Sequence, residues 1–199
     1  MSNLLILMSD EHNPRYASPY GHPFVRTPAM QRLADAGTVY KHAYCPSPLC
    51  MPSRSAWMAG KRVHDIQTYS NCNAGVDPTY LSYGAALDRQ DVHSAYIGKT
   101  DVYAPGRALG FSEMIHPRDR GWPGDTNHRR NPMTIREGAA DRAKGYGPQE
   151  NAGTQDIENV DRAIRWLRTQ GVHRESPWVL VVNVLKPHFP HTAPPGDWD

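Results

Sequence analysis

Residues 157–185, IENVDRAIRWLRTQGVHRESPWVLVVNVL, decide the fold. Ile157, Val160, Ile164 and Leu167 recur at helical spacing, with Ala163 and Trp166 beside them, and Gly171 follows the last turn. This predicts a long amphipathic helix. Trp178–Leu185 is then an apolar, β-branched run, which reads as a buried strand. Working outward, residues 3–9 (NLLILMS) and 92–98 (VHSAYIG) read as further strands, and TVYKHAY (38–44) as another. Thr27 and Pro28 open a helix that stops at Gly37, Pro52 opens a short helix through SRSAWMAG, and Tyr80–Gln90 is helical. Strands alternating with helices define an α/β protein with a mainly parallel sheet flanked by helices. Between Asp101 and Gly153 no period holds, so about 101–153 reads as a long irregular loop region. No internal repeat and no linker divides the chain, so residues 1–199 are read as part of one domain.

Composition narrows the function classes. Of 199 residues, 18 are proline, near double the average usage of roughly 5%. That density is poorly compatible with a coiled coil, a helical bundle or a helical repeat. Lys+Arg 22 against Asp+Glu 20 gives no basic field, so no nucleic-acid partner is expected. The excess of 17 Arg over 5 Lys suits bidentate anion recognition and equally fits a GC-rich genome. No apolar run approaches the roughly 18 residues that span a bilayer, so no membrane partner is expected. Leu4–Met8 is too short for a signal-peptide core, which makes the cytoplasm the expected location. Three cysteines do not make a disulfide framework.

In a parallel α/β sheet, ligands bind at the carboxyl ends of the strands. The residues there are Asp10-Glu11-His12-Asn13, the segment from Cys45 to Arg54, Gly98-Lys99-Thr100-Asp101, and Lys186-Pro187-His188-Phe189-Pro190-His191. Every exit carries charged or nucleophilic groups, so one crevice can collect them. The pattern Cys50-x-Pro52-Ser53-Arg54 is the most specific of these, with a chance expectation at this composition of roughly 0.001.

With the surrounding LCMPSRSAWMAGK, this pattern resembles the signature of the sulfatase family of the alkaline-phosphatase superfamily. The resemblance extends to the acidic turn after the first strand, Gly98-Lys99, and the Pro-His-x-Pro at 187–190. It implies an alkaline-phosphatase/sulfatase-like fold and a hydrolase of small anionic sulfate esters. It also implies that a formylglycine-generating enzyme oxidises Cys50 to formylglycine. The hydrated aldehyde is a geminal diol. One hydroxyl attacks sulfur and displaces the alcohol; loss of the second hydroxyl's proton expels sulfate and restores the aldehyde.

The resemblance also assigns roles. Asp10 and Glu11 are the first metal ligands, with Cys50 completing that side, for a divalent cation: Ca2+ first, Mg2+ or Mn2+ as alternatives. Arg54, one helical turn past Cys50, holds the diol. Lys99 binds a sulfate oxygen, and His188 protonates the leaving oxygen or binds sulfate. Asn71, Thr100 and Lys186 are substrate-side candidates. Asn13 and His191 are lesser ones, and Arg129-Arg130 guide anions or are simply a solvated loop. Pro52 aims the helix amino end at the site, and Ser53 is read by the modifying enzyme. Cys45 and Cys72 are not the modified residue.

Three points depart from the family pattern. Glu11 stands where Asp or Gln is usual. Asp101 stands where the family places His, and a carboxylate donates no proton unless its pKa is raised. The second pair of metal ligands, expected on a later strand, has no counterpart after His188. The expectation is therefore the amino-terminal portion of a sulfatase domain, with Trp178–Leu185 left at an open sheet edge. Two alternatives stand beside the sulfatase: a phosphonate monoester or phosphodiester hydrolase with the same nucleophile, and an inactive truncated fragment. The substrate and the oligomeric state are open.

Overall fold

The computed structural model describes residues 2–71, 77, 79–102, 109–119 and 138–197. Its centre is a four-stranded parallel sheet in the order β1-β5-β2-β3, with β1 Leu4–Ser9, β2 His93–Lys99, β3 Glu113–Arg118 and β5 Trp178–Val184. A small second sheet pairs β4 (Tyr146–Pro148) with β6 (His191–Ala193), also in parallel. The helices are α1 Pro28–Ala36, α2 Cys50–Ala59, α3 Val63–Ile66, α4 Tyr83–Asp88, α5 Ala139–Ala143 and α6 Thr154–Thr169. None of the described helices is long and apolar enough to cross a membrane.

The strand period sorts the core into two layers. Tyr96, Val179 and Val181 face one side, where Met58 of α2, Val92 and Phe111 cover them. Ala95, Ile97, Leu180 and Val182 face the other, beneath Ala163 and Trp166 of α6. A parallel sheet needs both faces covered, and the continuous apolar runs of β2 and β5 meet that need. β5 is consequently central, bonded to β1 on one side and β2 on the other. The expected open edge at Trp178–Leu185 is thus corrected. Among the described residues the edges are β1 and β3, and on β1 the side chains of Leu4, Leu5 and Leu7 are exposed.

Four further expectations change. Residues 38–44 form no strand: Tyr40 and Tyr44 are exposed, because their alternating pattern finds no sheet edge. The α6 stripe is rotated from the expected one. Asn159, Ala163 and Trp166 are buried, whereas Ile157, Val160 and Ile164 are exposed, because β2 and β5 lie beneath the first set only. The 101–153 region holds β3, α5 and β4; its residues 103–108 and 120–137, including Arg129-Arg130, lie outside the described ones. The helix expected over Tyr80–Gln90 narrows to Tyr83–Asp88.

Glu113 fastens edge strand β3 to α6. Its Oε1 accepts from Trp166 Nε1 at 3.1 Å, lies 2.6 Å from His93 Nε2, and has Arg174 at 3.7 Å. Burial alone pushes this carboxyl up, but the bonds from Trp166 and His93, with the charges of His93 and Arg174, outweigh it and hold it below its ordinary 4.5. A lowered carboxylate pKa contributes stability that is present above the unfolded value and lost as pH falls through the folded one. Glu113→Gln should therefore flatten the acid limb of stability below about pH 4.5. Urea midpoints across that range, compared with the native chain, check it; an unchanged acid slope refutes the assignment.

Candidate active site

The parallel sheet brings four chain exits to one place. Asp10 follows β1, its N–H bonding Val184 O at 3.2 Å, so the β1–β5 ladder runs on to the carboxylate-bearing residue. Lys99 ends β2, and His188 lies just past β5. Cys50 is the first residue of α2, so that helix starts two residues before the Pro52 expected to open it. Asn71 Oδ1 accepts from Met51 N at 3.0 Å, which satisfies a donor that the helix start leaves free. Asn71, a candidate for substrate contact, thus places its acceptor on the helix that begins with Cys50.

Asp10, Arg54, Lys99 and Asp101 are all buried. The Lys99 ammonium contacts the Asp10 carboxylate, lies 3.4 Å from Cys50 Sγ and 3.5 Å from Asp101 Oδ2. The Arg54 guanidinium reaches Asp10 at 3.8 Å through one nitrogen; through another it donates to Lys99 O at 2.9 Å and Asn183 Oδ1 at 3.1 Å. Two cations and two carboxylates therefore compensate one another around the cysteine. Where the family places histidine, Asp101 supplies Lys99 with a second acidic partner, from a left-handed backbone (φ 49).

Asp10, Cys50 and His188 offer ligand atoms within 4.8 Å of one another, the one such group among the described residues. His188 thus stands where Glu11 was expected. Glu11 Oε1 lies 3.4 Å from His188 Nε2, with Glu11 half-exposed and left-handed at φ 59. The donor set suits one side of a divalent cation site: a carboxylate, the Cys50 position and an imidazole. Lys99 already shows that positive charge is accommodated there. A hard cation takes about six to eight oxygen ligands, so these residues supply part of a coordination sphere.

Other candidates have different contacts. Thr100 is buried, and its hydroxyl donates to Arg118 O at 3.2 Å, toward β3. Lys186 Nζ donates to Pro190 O at 2.9 Å and Thr192 Oγ1 at 3.0 Å. Asn13 caps the turn at Arg15 N, 3.0 Å away. Cys45 is exposed, 3.1 Å from Ser53 Oγ, and Cys72 lies outside the described residues. A cleft of about 730 Å³ opens beside the site, with Glu11, His12 and Tyr16 on one wall and Lys186 and His191 on the other.

Two residues escaped the sequence reading. Asp156, in the first turn of α6, accepts from Leu185 N at 2.6 Å and Lys186 N at 2.7 Å, which anchors the turn leading to His188. Asn183 receives Arg54. The signal for Asn183 was present: it is the one polar residue in the run WVLVVNVL.

This cysteine-centred arrangement of charges coincides with a family match over nearly the whole chain. The Sulfatase family profile covers residues 2–197, and the chain belongs to that family. It is 29% identical to a choline-sulfatase of Rhizobium meliloti (strain 1021), over 99% of this chain and 40% of the relative. It is 27% identical to arylsulfatase K of Homo sapiens, over 96% of this chain and 34% of the relative. The chain therefore spans well under half the length of these two relatives. Among solved structures, the phosphonate monoester hydrolase of Agrobacterium radiobacter superposes with a TM-score of 0.68 at 20% identity. That match covers 98% of this chain and 42% of that one, and it bears on the fold alone.

Lys99 compensates a buried carboxylate, and removing one partner of such a pair costs about 3–5 kcal/mol. Lys99→Met should lose stability in that range, and adding Asp10→Asn should recover about half of the loss, since both charges then disappear together. Urea denaturation of the three variants measures this. Strictly additive losses would show that the ammonium and the carboxylate are not coupled.

Proposed function

We propose that the protein hydrolyses sulfate esters of small anionic substrates, with Cys50 converted to formylglycine as the nucleophile. The observation that carries this reading is Lys99: its ammonium contacts Asp10 and lies 3.4 Å from Cys50 Sγ, at the first residue of a helix. A nucleophile placed there attacks where positive charge and helix N–H groups meet an anionic group. Family membership supports sulfur as the centre attacked.

The residues divide the work as follows. Lys99 draws in a sulfate oxygen and compensates the charge that gathers during attack. Arg54, fixed at three points, orients the Cys50 side chain from one helical turn away. His188 faces oxygen with both ring nitrogens, Phe189 O on one side and Glu11 Oε1 on the other. It holds a proton at Nε2 for the departing alcohol oxygen. Asp10 and the oxygen that replaces Cys50 Sγ would supply part of a site for a divalent cation, Ca2+ as the sulfatase family implies, whose chemistry there would be to polarise the ester oxygens. The formylglycine-generating enzyme is the maturation partner this reading requires.

Protein from its native host should show the Cys50 peptide with the mass change of a thiol-to-aldehyde conversion, and Cys50→Ala should abolish turnover of 4-nitrophenyl sulfate. The same preparation should cleave the aryl sulfate at least about tenfold faster than an aryl phosphonate, a difference of about 1.4 kcal/mol in barrier. An unmodified Cys50 sinks the nucleophile. Faster phosphonate cleavage replaces the sulfate ester with a phosphonate ester as substrate.

A further inference from the structure

Asn183 sits near the end of β5 with 1% exposure, in a strand whose other side chains are apolar. We propose that it is a positioning residue that sets the Arg54 guanidinium, held in a single amide orientation by its Nδ2 bond to Ile97 O on β2, with Asn159 of α6 anchoring its backbone carbonyl. Its consequence for turnover rests on the sulfatase reading; the positioning itself does not.

Asn183 follows Val179 and Val181 on the face that packs against Met58 of α2, the helix bearing Arg54. Its Oδ1 accepts from Arg54 at 3.1 Å, and its Nδ2 donates to Ile97 O on β2 at 3.1 Å. The two amide atoms therefore have opposite obligations, and a flipped amide fails both. Behind the strand, Asn159 Nδ2 of α6 donates to Asn183 O at 3.3 Å, and Asn159 Oδ1 is 3.1 Å from His116 Nδ1. Asn159 and Arg54 thus converge on Asn183 as donors, Asn159 at its backbone carbonyl and Arg54 at its side-chain amide oxygen, while Asn183 Nδ2 donates onward to Ile97 O.

Two backbone features make room for this network. Gly98 has φ +87, and a Cβ there would come within 2.6 Å of Asn183 O and 2.7 Å of Asn159 Nδ2. Only glycine lets α6 and β5 join at that point. His116 has φ 50 in β3, where the register against β2 shifts between Ile97 and Lys99. Such an irregularity re-aims a side chain, here the imidazole toward Asn159. Valine serves the same face of β5 at 179 and 181, so packing alone does not call for an amide at 183. A fully satisfied buried polar network instead fixes one arrangement of its members.

The test reads Arg54 directly. In 15N-resolved NMR of the 199-residue chain, the Arg54 Nη protons should be protected from exchange. Asn183→Ala should remove that protection, whereas Val181→Ala, an equal truncation on the same strand face, should leave it. Asn183→Asp keeps the volume and the acceptor and should rescue protection; it decides the matter if Asn183→Ala does not fold. In the formylglycine-bearing protein, Asn183→Ala should lower kcat roughly 10- to 100-fold, the scale of a misplaced catalytic group, with KM within about threefold. In an Arg54→Ala background it should add no further loss. Persistent protection in Asn183→Ala, equal loss in Val181→Ala, or additive kinetic losses would overturn the proposal. Protection that behaves as expected without any sulfate-ester turnover upholds the positioning and refutes the sulfatase reading alone.

Discussion

The contact between the Lys99 ammonium and the Asp10 carboxylate is the constraint on which the centre depends. Both groups are buried, and neither charge is tolerable there alone. Their pairing ties the end of β2 to the end of β1 across the central strand β5, although β1 and β2 are not themselves neighbours. Cys50 then needs only to be delivered to the same point. The first turn of α2 delivers it, with Asn71 satisfying the backbone of Met51.

The charge arrangement also accounts for the departure at Asp101. A site with Lys99 and Arg54 opposed by Asp10 alone would carry an excess positive charge in low dielectric. Asp101, 3.5 Å from Lys99, balances it. The same pairing engages the Asp101 carboxylate with Lys99, while the imidazole near Cys50 is that of His188, itself faced by Glu11. Burial around this centre also pushes the Tyr96 hydroxyl up to about 12, so it remains a neutral donor, bonded to Lys99 O at 2.9 Å.

The sequence showed those parts of the fold where one physical signal was undivided. β1, β2 and β5 are continuous apolar runs, and α1 lies between its proline and its glycine, where punctuation predicts a helix. It did not show β3, whose residues EMIHPR include charges, a proline and a left-handed histidine, as suits an irregular edge strand. It suggested a strand at 38–44 because local alternation says nothing about whether a sheet edge is free. The strand-exit rule found Asp10, Cys50, Lys99 and His188, since nucleophilic and charged residues after apolar runs are visible locally. Thr100, Asn13 and Lys186 satisfied the same rule, but Thr100 points into the scaffold, Asn13 caps a turn and Lys186 bonds its own loop, and direction is a tertiary property. Asp156 and Asn183 act through backbone groups or a second side chain, so no motif marks them.

The exposed leucines of β1 bear on how the centre comes apart. Among the described residues, the strand that carries Asp10 pairs with β5 alone, whereas Lys99 stands on a strand paired on both sides. Opening of this layer therefore begins at the carboxylate end: β1 can detach while β2, β5 and α6 keep their core. Lys99 and Arg54 would then be left facing the cysteine without their shared anion. Within the described sheet, the cationic half of the centre is thus the more firmly held, and the acidic half hangs on β1.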